Sequence, residues 1–224
     1  MITVACVLRS GGRYDAEWVR KLRDGVRRHL TLPYRFVCLT DMVGDVEAAG
    51  VEAIMLPESW PGWWSKICLW SPEVGLTGTV LYFDLDTVTV GSLDVIAAHP
   101  HKFTMAHEFY RPDRLCSTAM AWSGDQSFLF EAFGGDTAET MALYDTVLPP
   151  RDGRIGDQSF IEDQFKLYGE KPDTFRDLFG ERSIASYKVH GCQAAPPKDA
   201  VAVAFHGSPK PHQIKTGWVP QAWK

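Results

Sequence analysis

The sequence predicts an α/β protein: a single domain with a mainly parallel central sheet flanked by helices. Three observations lead there. "ITVACVL" (2–8) is continuously apolar and β-branched, with no alternation, as in a strand buried on both faces. "DAEWVRKLRDGVRRHL" (15–30) places Trp18, Leu22, Val26 and Leu30 four apart, with Val19 beside them, on one face of a helix. Two further apolar runs of strand length follow, "RFVCLTD" (35–41) and "VEAIML" (51–56). Strand, helix, strand, loop, strand is the alternation of a parallel sheet.

The elements follow in order. "RSGGRY" (9–14) is a polar loop, and Asp15 is the expected N-cap of the first helix. In "PESWPGWWSKICLWSPE" (57–73), the WPGWW portion reads as loop and SKICLW as a short helix. "VLYF" (80–83) is a strand, and so are "KFTMAHE" (102–108) and "LCSTAMAW" (115–122). Residues 125–134, 137–148 and 156–169 read as helices, the last with Asp157 as its cap. "CQAAPPKD" (192–199) is a loop, and "VAVAF" (201–205) is a last buried strand, followed directly by "HGSPKPHQ". In parallel sheets ligands bind beyond the carboxyl ends of the strands. Residues 9–14, 40–41 and 84–86 all fall at such ends, so a site is expected along that edge.

Composition bounds the function. A chain of 224 residues, 45% hydrophobic and 23% charged, suits one soluble globular core. A formal net charge of −5 weighs against a dedicated nucleic-acid binder. Arg9, Arg13, Arg20, Lys21, Arg23, Arg27 and Arg28 cluster early in the chain, which reads first as a solvated helix face and second as a basic patch. The five cysteines (Cys6, Cys38, Cys68, Cys116, Cys192) are odd in number and lack metal-ligand spacing. Reduced core thiols and a cytoplasmic location are the expectation. The first residues do not read as a signal peptide, and no run approaches 18 uninterrupted apolar residues, so no membrane-spanning helix is expected.

The chemistry begins at "VLYFDLDTVTVGSLD" (80–94), where a buried strand ends in two acids separated by one residue. On a regular strand Asp84 and Asp86 would point to opposite faces, so they converge only if the chain bends there. Converging carboxylates repel unless a positive charge lies between them. A divalent cation with oxygen ligands, Mn²⁺ or Mg²⁺, is the natural partner, with positions left open for substrate phosphates. Asp84-Leu85-Asp86-Thr87-Val88 also fits the nucleophile motif of haloacid dehalogenase-like phosphatases. There, however, the motif usually ends the first strand, whereas about eighty residues precede it here, and Lys102 and residues 156–163 fill the remaining roles only loosely.

A broader resemblance is to GT-A glycosyltransferases, particularly the glycogenin-like, family 8 nucleotide-sugar transferases. "TGTVLYFDLDTVTVGSLDVI" resembles their metal-binding Asp-x-Asp segment. "WWSKICLWSPE" stands where they carry a basic residue facing the diphosphate, here Lys66. "STAMAW" (117–122) resembles their sugar-contacting strand, "GDQSFI" (156–161) their Asp-Gln segment, and "FHGSPKPH" (205–212) their C-terminal His…Gly-x-x-Lys-Pro-Trp element. The resemblance covers roughly residues 2–215. The departures are local. His206 immediately precedes Gly207, with Ala204 at the usual His position; His212 replaces the Trp; Cys116 and Ser117 stand where an Asn is usual, which leaves the sugar open.

The resemblance implies a metal-dependent transfer, with retention, from a nucleoside-diphosphate sugar, with uridine as the base. The metal ligands would be Asp84, Asp86 and His206. The donor contacts would be Leu8, Arg9, Ser10, Tyr14, Asp41, Lys66, Asp84, Leu85, Gly207 and Lys210, with residues 1–86 as the nucleotide-binding half and 87–224 as the donor-sugar and acceptor half. Asp157, Gln158 and Lys66 are the candidate catalytic residues, Asp157 serving as base if the reaction inverts. A non-catalytic nucleotide-sugar or glycan binder is the third reading. The acceptor stays open among glycan, lipid headgroup, protein side chain and modified nucleobase in DNA. Trp60, Trp63 and Trp64 are either core anchors or an aromatic platform for a sugar or base.

Overall fold

The structure, a computed structural model, describes residues 1–145 and 155–224. The chain opens with β1 (Ile2–Leu8), α1 (Ala16–His29), β2 (Tyr34–Thr40), α2 (Val43–Ala48) and β3 (Glu52–Met55). α2 stands where the sequence predicts a loop; it is six residues long and buries Val46 alone, too short for a helical period to show. A 3-10 segment, Gly62–Trp70, leads to β4 (Thr79–Phe83), β5 (Thr87–Thr89), α3 (Asp94–Ala98), β6 (Phe103–His107) and β7 (Leu115–Ser123). Then come α4 (Phe128–Gly135), α5 (Thr137–Asp145), α6 (Gly156–Leu167), β8 (Asp173–Thr174), α7 (Phe175–Phe179), β9 (Ile184–Ser186), β10 (Ala202–Ala204) and α8 (Val219–Ala222). Residues 146–148 of the expected 137–148 helix lie outside the described residues.

The central sheet has the order β3-β2-β1-β4-β7-β6-β8. β1 runs parallel to both of its neighbours, β2 and β4, and so sits at the middle of the parallel half. β7 pairs antiparallel with β4 and β6 and turns the sheet toward its mixed edge. Side chains of the central strands alternate between two core layers. Val4, Cys6, Leu8, Leu81 and Phe83 face one core layer with Trp18, Leu22 and Val26 of α1. Ala5, Val80 and Tyr82 face the other, with Trp64 and Ile67 of the 3-10 segment. A Leu or Val fully buried in either layer stabilises the fold by roughly 1.5–3 kcal/mol.

A second, three-stranded sheet, β5-β10-β9, does the work that positions the site. β5 starts one residue after Asp86, and its antiparallel partner β10 ends two residues before His206. The Phe205 N–H donates to the Asp86 carbonyl at 3.2 Å, so residues 205–210 are delivered directly to the Asp-x-Asp turn. Helix α1 packs against this sheet through Gly25, where a Cβ would lie 2.6 Å from Thr89 Oγ1.

Asp15 caps α1 as expected, its carboxylate accepting from the Glu17 and Trp18 N–H groups. The basic residues of α1 are largely paired. Arg20 bridges Glu17 and Asp24, and Arg23 and Arg27 also reach Asp24. All five cysteines are free thiols; four are buried and Cys116 is partly exposed. Among the described residues no helix is long and apolar enough to cross a membrane.

Candidate active site at the carboxyl edge of the sheet

Asp84 leaves β4 with its N–H donating to the Thr118 carbonyl at 2.9 Å, and its own carbonyl accepts from Thr87 N–H at 3.0 Å. The chain therefore turns through residues 84–87. Leu85, between the two acids, is buried in the core and pins the turn.

Each acid reaches toward a different side of the sheet. Asp84 has the same strand parity as Tyr82, and the Tyr82 hydroxyl donates to its Oδ1 at 2.7 Å. The same oxygen meets Lys66 Nζ at 2.9 Å. Lys66 is buried and also touches Asp157 Oδ2 at 3.2 Å and Ser117 Oγ at 3.0 Å. Asp86, on the other side, accepts from the Tyr14 hydroxyl at 2.9 Å and pairs with Lys210. Lys210 Nζ also donates to the Phe205 carbonyl at 2.8 Å.

Electrostatics binds these contacts into one site. Burial raises the Asp86 carboxyl above the usual carboxylate range, and the nearby charge of Asp84 raises it further, against the pull of Lys210 and Tyr14. Burial alone would lower the Lys66 ammonium, but Asp157 and Asp84 hold it above its ordinary value. Burial and the charge of Asp86 hold the Tyr14 phenol protonated, well above its ordinary value. The Cys116 thiol is pushed up to about 12, chiefly by burial, and is inert at neutral pH. Three carboxylates (Asp84, Asp86, Asp157) face two lysines here. A site short of one positive charge, in which the charge of Asp84 acts on Asp86, fits an added divalent cation with oxygen ligands. Asp157 Oδ2 is buried, and its partner is the ion pair with Lys66 at 3.2 Å.

His206 stands next to this pair but is tied elsewhere. Its Nε2 shares a hydrogen bond with Ser186 Oγ at 2.7 Å, and its ring stacks on Phe109. Burial, with Lys188 and Lys210 nearby, lowers it to about 4, so it is neutral at physiological pH. Nδ1 is the nitrogen left for a cation. Among the described residues no group of three or more His, Cys, Asp or Glu side chains is arranged as a ready metal cluster.

No protein-family model and no curated protein sequence matches the chain. Solved structures do. The chain is 14% identical to the apo form of the glycosyltransferase GlyE of Streptococcus pneumoniae TIGR4, with a TM-score of 0.59, over 99% of this chain and 58% of that one. It is 10% identical to galactosyltransferase LgtC in complex with donor and acceptor sugar analogs, with a TM-score of 0.59, over 98% of this chain and 93% of that one. It is 11% identical to the bifunctional WbbM apo structure, with a TM-score of 0.61, over 98% of this chain and 48% of that one. The chain has the GT-A glycosyltransferase fold.

On this GT-A scaffold the residues singled out in the sequence fall into three groups. Asp84, Lys66 and Asp157 form one contact cluster and Asp86, Tyr14 and Lys210 another, joined through the turn at residues 84–86. Arg9, Ser10 and Asp41 form a separate cluster at the ends of β1 and β2. Asp41 accepts from Ser10 N–H at 2.9 Å and pairs with Arg9, which also donates to the Ser59 carbonyl at 3.4 Å. Leu8 and Leu85 bury their side chains in the core, so a donor would meet only their backbone. Gln158 is half-buried on α6, and Gly207 turns with φ +65, close to Lys188.

Two expectations need correction. Asp157 is not the cap of its helix: Ile155 holds that position, and Asp157 lies in the first turn facing Lys66. The tryptophans are not one group. Trp60 and Trp64 are core residues packed on Phe133, and Trp64 donates to Asp145, whereas Trp63 is 49% exposed. Two functional partners escaped the sequence reading. Tyr82 looked like plain core, although its place two residues before Asp84, on the same strand face, was a usable signal. Ser186 carried no signal, because β9 is three residues long and is brought to His206 only by its pairing with β10.

Proposed function

We propose that this chain is a glycosyltransferase that moves a sugar from a nucleoside-diphosphate sugar, a UDP-sugar, to an acceptor with retention, using Mn²⁺ or Mg²⁺. The observation that carries this reading is the pair of ionic clusters, Asp84–Lys66–Asp157 and Asp86–Lys210, flanking the Asp-x-Asp turn at the carboxyl edge of a sheet with the GT-A fold. The same fold favours it over the phosphatase.

Asp84 and Asp86, with His206 through Nδ1, are the residues that would hold the cation. When bound, it offsets the charge that develops on the departing diphosphate. Lys210 is one flexible side chain away from exchanging Asp86 for a phosphate oxygen, carrying positive charge to the leaving group. Lys66 is buried and held by Asp84, Asp157 and Ser117, so it orients those carboxylates rather than reaching out itself. Asp41, fixed by Ser10 and Arg9, and Tyr14 line the end of the sheet proposed for the nucleoside. Asp157, buried against a lysine, is poorly placed as a free base. This supports retention, in which the leaving phosphate oxygen takes the acceptor's proton. Five free thiols suit a reducing compartment, and the cytoplasm is proposed.

The reading is tested by incubating the chain with a panel of nucleoside-diphosphate sugars and following release of the free nucleoside diphosphate. Release from a uridine donor, dependent on Mn²⁺ or Mg²⁺ and abolished in Asp84→Asn and Asp86→Asn, is expected. Saturable donor binding with no release under any acceptor would favour a binding protein instead. Hydrolysis of simple phosphate esters without donor release would favour the phosphatase.

A further inference from the structure

We propose that Tyr82 is a positioning residue for metal binding: with Lys66 it holds one oxygen of Asp84 and leaves the other, Oδ2, open to the cation. The inference rests on the metal-dependent glycosyltransferase reading and deepens it by a residue that lies behind the acids.

Tyr82 sits on the central strand β4, between Ala5 of β1 and Met120 of β7, and is 1% exposed. A phenylalanine would fill that place with no polar atom to satisfy. The hydroxyl of Tyr82 instead donates to Asp84 Oδ1 at 2.7 Å. Residues two apart on a strand share a face, so β4 itself aims the phenol at the acid. Lys66 Nζ reaches the same oxygen at 2.9 Å. Asp157 at 3.2 Å and Ser117 at 3.0 Å hold Lys66 in turn. Two buried donors therefore engage Oδ1. Among the described residues Oδ2 accepts no hydrogen bond, and the Asp84 side chain is still 28% exposed.

Asp86 repeats the arrangement with more mobile parts. Its Oδ2 accepts from the Tyr14 hydroxyl at 2.9 Å and pairs with Lys210, so again one oxygen takes a phenol and an ammonium. Tyr14 comes from the loop before α1 and Lys210 from the segment after β10. Tyr82 and Lys66 stand instead on a central strand and on the buried 3-10 segment. Asp84 is thus the ligand whose direction is set before a cation arrives. Lys66 is shared with Asp157, which leaves the Tyr82 hydroxyl as the donor dedicated to Asp84. Donors behind a ligating carboxylate fix its orientation, and losing one typically weakens metal affinity about ten- to a hundredfold.

The test measures the Mn²⁺ affinity of the full chain with UDP present, from the electron paramagnetic resonance signal of free Mn²⁺. Tyr82→Phe is compared with chains carrying 4-methylphenylalanine or 4-aminophenylalanine at residue 82. The methyl group fills the volume of the hydroxyl and donates nothing; the amino group fills it and donates. The expected result is a Kd for Mn²⁺ raised about tenfold or more in Tyr82→Phe and in the methyl variant, and restored in the amino variant. A purely structural tyrosine would lower Tm without moving that Kd. The proposal is overturned if Tyr82→Phe binds Mn²⁺ as tightly as the wild type or more tightly, or if the methyl and amino variants bind it equally. The second comparison decides the matter even if Tyr82→Phe does not fold. Asp86→Ala separates the two claims. If wild-type binding of Mn²⁺ is lost in Asp86→Ala while the residue-82 variants match the wild type, the positioning inference alone falls. If the wild type binds no Mn²⁺ with UDP, both fall.

Discussion

Lys210 and Asp86 form a buried ion pair that ties the C-terminal segment to the Asp-x-Asp turn, more than a hundred residues away in sequence. Each side chain is only 8% exposed, and Phe205 and Tyr14 complete the cage around them. Removing one partner of a buried pair typically costs about 3–5 kcal/mol, because the other charge is left uncompensated. Lys210→Met should therefore lower Tm by roughly 10 °C in a chain of this size. Added Mn²⁺ should recover more of Tm in the variant than it adds to the wild type, since Asp86 then lacks its resident counter-ion. Differential scanning calorimetry with and without metal reads both effects; an unchanged apo Tm would show that the pair carries no stability.

Lys66 serves two carboxylates at once, and this makes its substitution non-additive. Lys66→Met should cost about 3–5 kcal/mol by stranding Asp84 and Asp157. Asp157→Asn in that background should cost less than in the wild type, or should stabilise. A double-mutant cycle in urea should give a coupling above about 1 kcal/mol. Additive losses would mean that the two groups do not share an interaction.

Gly156→Ala combines a strained backbone with a clash against the Trp63 indole. It should cost at least about 1 kcal/mol and alter tryptophan fluorescence. Gly134→Ala is the contrast: it lies in α4 with nothing within 4 Å of its Cβ and should be neutral or stabilise by up to about 1 kcal/mol.

His206 makes stability pH-dependent. Its folded value of about 4 lies below the ordinary 6.5, so between these values the unfolded chain binds more protons than the native one. Its contribution is complete above 6.5 and is lost as pH falls toward 4. The groups facing it are Ser186, Phe109 and Tyr110, with Lys188 and Lys210 supplying positive charge. His107 and His190 are also lowered by burial, so the wild-type profile is shared. Thermal melts in a chelator from pH 7.5 to 4.5 should therefore show a shallower acid decline for His206→Gln than for the wild type. Identical profiles would remove His206 from the account.

Those parts of the fold whose side-chain pattern is local were legible in the sequence. β1 shows itself by unbroken apolar residues because it is covered on both faces. α1 shows itself by a four-residue spacing and by Asp15. The acids of residues 84–86 stand out because carboxylates directly after "VLYF" oppose burial unless something holds them. What was hidden is contact that only the tertiary fold creates. Asp157 resembles a helix cap by position, and only the approach of the 3-10 segment turns it toward Lys66. The basic residues of α1 resemble an open patch until Asp24 is seen to gather three arginines. β5 and β9 are three residues each, too short to show an alternation, yet together with β10 they carry His206 and Lys210 to the turn.

The central claim is that Asp84 and Asp86 hold a metal that binds a nucleoside-diphosphate sugar. The most direct measurement is the thermal shift produced by UDP and UDP-sugars with and without Mn²⁺, in the wild type and in Asp86→Ala. Stabilisation of the wild type that requires both metal and nucleotide, and that disappears in Asp86→Ala, is predicted: about 2.7 kcal/mol at a hundredfold excess over Kd. No metal-dependent stabilisation by any nucleotide sugar, or the same stabilisation in Asp86→Ala, would contradict it.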